Sequence, residues 1–181
     1  LEPVSIYDMT LAKNLADQKA PFEVSYYEPS DIVLKPSIYG TGELVSPSYG
    51  GNDIEALGAA GAWIATSPDL LRLLLAIDGL PSKPDLLSAE SIAYMTLNEN
   101  GNAPAGWKAI MKSGSWWRTG SFPGSAGMIK REPDGTGWVV LLNTSAWNGP
   151  EIYSYINNMM ARVTSQVKHW PSHDLFELSL P

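Results

Sequence analysis

Residues 116–127 read WWRTGSFPGSAG, and the side chains in this stretch could do chemistry. Arg118 is a cation able to hold an anion, and Thr119 offers a hydroxyl. The stretch then thins to Gly120, Ser121, Gly124, Ser125, Ala126 and Gly127. Glycine in a strand interior weakens the strand, and it often marks a place where another backbone or a ligand comes close. A strand that only packs has no need of such thinning. The stretch reads as the edge of a site. As strand neighbours, Trp116 and Trp117 point to opposite faces, so at most one lines that site and the other belongs to the core.

The elements that must position this edge follow from the pattern on either side. WKAIMK alternates from Trp107, residues 113–115 (SGS) turn, and WWRTGS runs back, which predicts a hairpin. SAGMIKR and GWVVLLN flank EPDG, residues 132–135, and predict a second hairpin, because Pro, Asp and Gly favour chain reversal. Residues 139–142 are apolar without alternation, which predicts a strand covered on both faces. A helix is expected over residues 150–167. Its Ile152, Ile156, Met159, Val163 and Val167 form one stripe to lay on the sheet.

Upstream, Ser67 as N-cap, Pro68 at the first helical position and Asp69 in the first turn open a helix through LLRLLLAID that stops at Gly79. Its leucines wrap most of the circumference, so it is expected to be buried on several sides. A second helix starts at Ser88. Residues 21–28 (PFEVSYYE) alternate as a half-buried strand to which DIVLKPSIYG could pair, and residues 40–52 read as a long surface loop. Residues 1–14 read as a short turn and helix, and the tail after Trp170 as irregular.

Composition narrows the function classes. Hydrophobic residues make up 44% of the 181 against 17% charged, enough for a buried core and too apolar for a disordered chain. A net charge of -7 with no Lys or Arg cluster argues against a phosphate-binding surface and so against nucleic acid. With no cysteine there is no disulfide, no zinc thiolate and no thiol nucleophile. The longest apolar run, LLRLLLAI, is far short of the roughly 18 residues of a membrane span. His169 and His173 are separated by Pro171, which breaks the helix that would align both rings on a metal, so neither a metal site nor any other cofactor is expected. Asn143-Thr144-Ser145 spells a glycosylation sequon but closes an apolar strand, and reads as structural.

Taken in order, several motifs resemble the serine β-lactamase and penicillin-binding-protein superfamily, in its branch of β-lactamase-related esterases and peptidases. GAAGAWIATSPDLLRLLLAIDG is similar to the family's glycine-rich approach into a helix. Gly106-Trp107, Arg118-Thr119-Gly120, Gly124, Gly127, Asp134-Gly135 and the strand ending at Asn143 fall in the order of the family's third-motif region. LEPVSIYDMT is similar to its proline-containing segment before the helical region. The resemblance implies an α+β fold: an antiparallel sheet with packed helices, the C-terminal portion of a β-lactamase/transpeptidase-like fold. On this reading residues 1–105 are a helix- and loop-rich region, 106–168 the antiparallel strands and C-terminal helix, and 169–181 a tail, all within one domain.

The resemblance also implies roles. Arg118, Thr119, Gly120 and Ser121 would bind substrate, Thr119 through its hydroxyl and Gly120 by leaving room. The backbone N–H of Ser121 would be one oxyanion-hole donor, a kind of group whose loss costs roughly 100- to 1000-fold in rate. Arg118 stands where the family has Lys or His; it can stabilise an anion but shuttles protons poorly. The family's nucleophile and base, S-x-x-K, and its second-motif Tyr or Ser precede the matched segment. The two matching strings here, Ser165 to Lys168 and Tyr155 to Asn157, lie on the last helix in the wrong order and read as chance.

The expected function is therefore the C-terminal part of a serine hydrolase that cleaves amide or ester bonds of small or peptidoglycan-like substrates through an acyl-enzyme, inactive by itself. A non-catalytic anion-binding module or degenerate relative is the alternative. The resemblance places the protein in the periplasm or outside the cell. It also leaves an open strand edge and an uncovered face, to be filled by an N-terminal half or a second copy.

Overall fold

The computed structural model describes residues 6, 9–97, 104–145, 148–174 and 176. The fold is α+β. Its centre is a four-stranded antiparallel meander of β5 (Ala109–Ile110), β6 (Trp116–Phe122), β7 (Ser125–Arg131) and β8 (Gly137–Leu142), in that order across the sheet. Three α-helices accompany it: α1 (Ser67–Leu75), α2 (Ala89–Met95) and α3 (Glu151–Gln166). Two small antiparallel pairs complete the described elements: β1 (Thr10–Leu11) with β4 (Trp63–Ile64), and β2 (Lys35–Pro36) with β3 (Leu44–Val45).

Both sequence-predicted hairpins form, β5 to β6 across residues 113–115 and β7 to β8 across residues 132–135, and a third reversal that the sequence reading did not predict links them. Pro123 and Gly124 join β6 to β7, and the register pairs Phe122 with Ser125, Gly120 with Gly127 and Trp116 with Arg131. Gly124 takes φ of +72°, a left-handed conformation that a side chain disfavours, which is why the tightest reversal carries glycine. A Cβ there would also lie 2.6 Å from the Cβ of Tyr26, so the hairpin tip can seat on the upstream loops only as glycine. From β7 to β8, Glu132 N–H donates to Thr136 O at 2.8 Å across the turn.

Strand alternation gives the sheet two faces. One carries Trp116, Arg118, Gly120 and Phe122 of β6, and Trp116 packs there with Leu74 of α1, Ile92 of α2 and Trp107. Leu74 approaches so closely that a Cβ on Gly137 would sit 2.9 Å from its Cδ2; the bare α-carbon of β8 is what admits the helix. On the other face Met128 and Trp138 pack with Ile152 and Ile156 of α3. Full burial of each such side chain contributes about 1.5–3 kcal/mol. Trp116 and Trp117 do point oppositely, and each packs into a core: Trp117 lies against the α3 cluster. A third cluster of Ala12, Ile54 and Ala62 takes Phe122 at the hairpin tip.

Several expectations change. Residues 21–28 do not form a strand: Phe22 is 99% exposed, and the described backbone contributes only an isolated parallel bridge from Tyr27 to Thr144. Among the described residues only Tyr27 meets the sheet backbone to backbone, at Asn143 beyond the end of β8, while the apolar Phe22 and Val24 stay exposed. Lys35–Pro36 pairs with Leu44–Val45 instead, so the predicted loop over 40–52 contains a strand and a turn whose Pro47, Ser48 and Gly50 are buried. Thr10–Leu11 is a strand where a turn and helix were expected; residues 1–5, 7 and 8, with most of the LEPVSIYDMT resemblance, lie outside the described residues.

The first helix begins one residue earlier than expected. Thr66, not Ser67, is its N-cap, in a reciprocal capping box: Thr66 Oγ1 accepts from Asp69 N–H, and Asp69 Oδ2 accepts from Thr66 N–H, each at 3.2 Å. The cap needs an acid three residues on, and only Thr66 has one in Asp69. Burial concentrates at Asp69 and Leu74 in place of encircling the helix. The strand at residues 139–142 is not covered on both faces, because Leu141 is 43% exposed beyond the reach of α1. Of the stripe assigned to α3, Ile152 and Ile156 are buried, but Met159 and Val163 are half exposed, at 50% and 51%. Two bonds set this rotation: Tyr153 Oη donates to Gly120 O at 2.8 Å, and Lys130 Nζ donates to Asn157 Oδ1 at 3.0 Å.

Candidate functional site

β6 is paired on one side along its whole length and on the other only at its start. β7 runs beside Trp116 through Phe122, whereas β5 reaches only Trp117 and Trp116. Among the described residues no strand lies beside β6 beyond Trp117 on that side. In an antiparallel ladder the N–H and C=O of one residue point to the same side, and alternate residues face alternate sides. Ser115 O and Trp117 O accept from Met111 N–H and Lys108 N–H, on the β5 side. By the same parity Thr119 and Ser121 direct their backbone N–H and C=O groups to the open side, while Arg118, Gly120 and Phe122 bond to β7. The oxyanion donor assigned to Ser121 N–H therefore points outward along a free strand edge.

The side chains divide between faces. Arg118 and Gly120 lie on the α1 face, Thr119 and Ser121 on the α3 face. The Arg118 side chain is exposed and, among the described residues, makes neither an ion pair nor a hydrogen bond. No atom lies within 4 Å of where a Cβ on Gly120 would sit, so the strand has open space on that face. Thr119 is half-buried and Ser121 exposed, and neither hydroxyl has a partner among the described residues. The four residues share no single face, and the groups on the open edge itself are the backbone N–H and C=O of Thr119 and Ser121.

What holds the edge was not legible in the sequence. Tyr153 of α3 donates to the carbonyl of Gly120, tying the middle of β6 to the helix beneath it. At the far end Ser48 Oγ contacts Glu28 Oε1 at 2.5 Å and Pro123 O at 2.9 Å, while Ser48 N–H and Ser46 Oγ donate to the same carboxylate at 2.9 and 2.7 Å. Gly124 N–H donates to Ser145 Oγ at 2.7 Å. The signal for Tyr153 was its spacing from Ile156, which puts it on the buried flank of α3; nothing in the local pattern marked Glu28 or Ser48.

A cleft of about 80 Å³ opens beside the hairpin tip, lined by Phe122, Pro123 and Ser125 from the sheet and by Lys13, Tyr26 and Trp63 among the upstream residues. Two of its polar groups are engaged: Lys13 pairs with Glu55 at 2.7 Å, and the Tyr26 hydroxyl donates to Glu23 at 2.6 Å. Burial, together with that carboxylate, pushes the Tyr26 phenol far above its ordinary range, so Tyr26 stays a donor and is no proton acceptor.

No family model, no curated protein and no solved structure matches this chain.

Among the described residues, the strings that imitate catalytic motifs bond to their own helix and to β7, with no bond to the β6 edge. Ser165 is in the last turn of α3, its hydroxyl donating to Arg162 O at 2.9 Å of its own helix. Tyr155 is exposed, whereas Asn157 turns inward to Lys130. His169 and His173 are both exposed, and among the described residues no three His, Asp or Glu gather as metal ligands. Asn143 donates its side-chain amide to Ser25 O at 3.0 Å, a structural engagement. None of the described helices is long and apolar enough to cross a membrane.

Proposed function

We propose that this chain supplies the third-motif wall of a β-lactamase-related serine hydrolase that cleaves amide or ester bonds through an acyl-enzyme. The observation that carries the reading is the open edge of β6. Ser121 N–H faces outward there, beside a glycine with free space around it and an exposed Arg118 without a partner. A small or peptidoglycan-like substrate would lie along this edge with its carboxylate toward Arg118 and Thr119, and the oxyanion formed on acyl transfer would accept from Ser121 N–H. The nucleophile and its base would come from polypeptide outside these 181 residues, in an extracytoplasmic protein.

By itself the chain is then inactive. Fluorophosphonate and penicillin-type probes are expected to leave it unlabelled, and acylation of Ser165 would overturn the proposal. Coding sequence upstream of Leu1 with S-x-x-K followed by Y-x-N supports the enzyme. Upstream coding sequence without them favours the second reading, an anion-binding module without turnover. One observation favours that alternative: the cation on the strand is Arg, which holds a carboxylate well but is a poor proton shuttle.

A further inference from the structure

The opposite edge of the sheet is also open, and the helix beside it has an apolar flank to match. Strand parity turns the backbone groups of Gly137, Val139 and Leu141 away from β7, and the described residues place no strand against them. Asn143, next in the same alternation, already shows that this edge takes a partner: its carbonyl accepts from Tyr27 N–H at 3.0 Å. Above the edge runs α3. Its bonds from Tyr153 to β6 and from Asn157 to β7 turn the other flank, Tyr155, Met159 and Val163, outward past β8. Together with Leu142 these residues line an open groove of about 930 Å³.

We propose that two copies of the chain join edge to edge through β8, extending the sheet from four strands to eight across a two-fold axis and laying the two α3 helices side by side. The choice of a second copy rests on self-complementarity. An antiparallel register centred on Val139 puts Leu141 of each copy opposite Gly137 of the other, so the exposed leucine meets the bare strand under Leu74. Helix α3 runs back antiparallel to β8: it starts just beyond Leu142, and Asn157 is reached by Lys130, whose strand partner is Trp138. The two-fold therefore sets the helices antiparallel, crossing near Ile156 and Asn157.

Glu151 and Arg162 lie equally far to either side of that crossing, on one stripe with Tyr155, and neither has an ion-pair partner among the described residues. Across the axis each Glu151 faces the other copy's Arg162, twice over. The apolar flanks meet between these two ion pairs. An isologous contact of this kind closes on itself and leaves the β6 edge, on the far side of the sheet, free.

Sedimentation velocity on the 181-residue chain tests this, and it leaves untested the hydrolase reading, in which an N-terminal half would compete for an open strand edge and uncovered face of this kind. At about 100 μM, above the micromolar dissociation constants typical of weak interfaces, twice the monomer mass is expected. Leu141→Lys and Tyr155→Glu, both at exposed positions, are expected to give monomers with unchanged circular dichroism. Glu151→Arg or Arg162→Glu alone is expected to weaken the dimer roughly tenfold by replacing two attractions with two repulsions, and the double reversal to restore it. A monomer throughout, a dimer insensitive to all four single changes, or a double reversal that fails to restore what each single change weakens would overturn the proposal.

Discussion

In the proposed site Arg118, Gly120 and Ser121 would divide the work of the β6 edge: charge, space and a backbone donor. Arg118 makes no contact that the fold needs, so Arg118→Ala is expected to leave the melting temperature unchanged while weakening binding of a small carboxylate about tenfold or more, the scale of a charged hydrogen bond. Isothermal titration and a thermal melt of the same variant separate the two effects. Gly124 is the contrary case. Gly124→Ala forces a left-handed backbone and a contact at 2.6 Å, and is expected to cost at least about 2 kcal/mol in a denaturant melt. Gly40→Ala, with similar φ and nothing within 4 Å, is expected to cost about 1 kcal/mol. The sequence announces the glycines but not this difference, since the clash comes from Tyr26, distant in the chain.

At the scale of elements, the hairpins around 113–115 and 132–135 and the existence of all three helices were legible, because turn residues and apolar periods are local signals. The rotation of α3 was not. Its stripe from Ile152 to Val167 fits a helical period, but bonds to Gly120 and Lys130 select a neighbouring flank through Tyr153 and Asn157. Residues 21–28 failed for the complementary reason: alternation predicts a strand only where the segment runs along a partner edge, and this one meets the sheet backbone only through Tyr27 at Asn143. The cap of α1 is testable in isolation from these questions. Thr66→Ala removes the acceptor for Asp69 N–H, and a loss of about 1 kcal/mol in chemical unfolding is expected, with the free edge of β6 undisturbed.

For the whole molecule, pH reports on the join between α1 and the sheet. Asp78 follows α1 and is 2% exposed; Arg131 of β7 donates to its backbone carbonyl at 2.9 Å, and Leu80 N–H donates to its carboxylate at 2.7 Å. Burial raises its pKa above the ordinary 3.8, the Leu80 bond and Arg131 opposing and Asp85 adding to the shift. A raised carboxylate pKa makes the folded state bind more protons than the unfolded one. This group's contribution is therefore complete below the ordinary value and declines as pH rises through the folded-state value. Asp78→Asn keeps the acceptor for Leu80 N–H and loses the charge. Relative to the parent it is expected to gain stability as pH rises from about 4 to 7, read from urea melts across that range; a parallel pair of pH profiles would contradict the assignment.

Thinning side chains make residues 116–127 read as the edge of a site, and the structure adds what the sequence did not show: among the described residues β6 is unpaired beyond Trp117 on one side, with the backbone groups of Thr119 and Ser121 facing outward there. Its role is most directly tested by amide NMR of the chain titrated with N-acetyl-D-alanyl-D-alanine. Saturable shifts centred on the amides of Thr119 and Ser121, much reduced in Arg118→Ala, are expected. Unmoved Thr119 and Ser121 amides, or shifts that Arg118→Ala leaves intact, would contradict a substrate-binding wall at this strand.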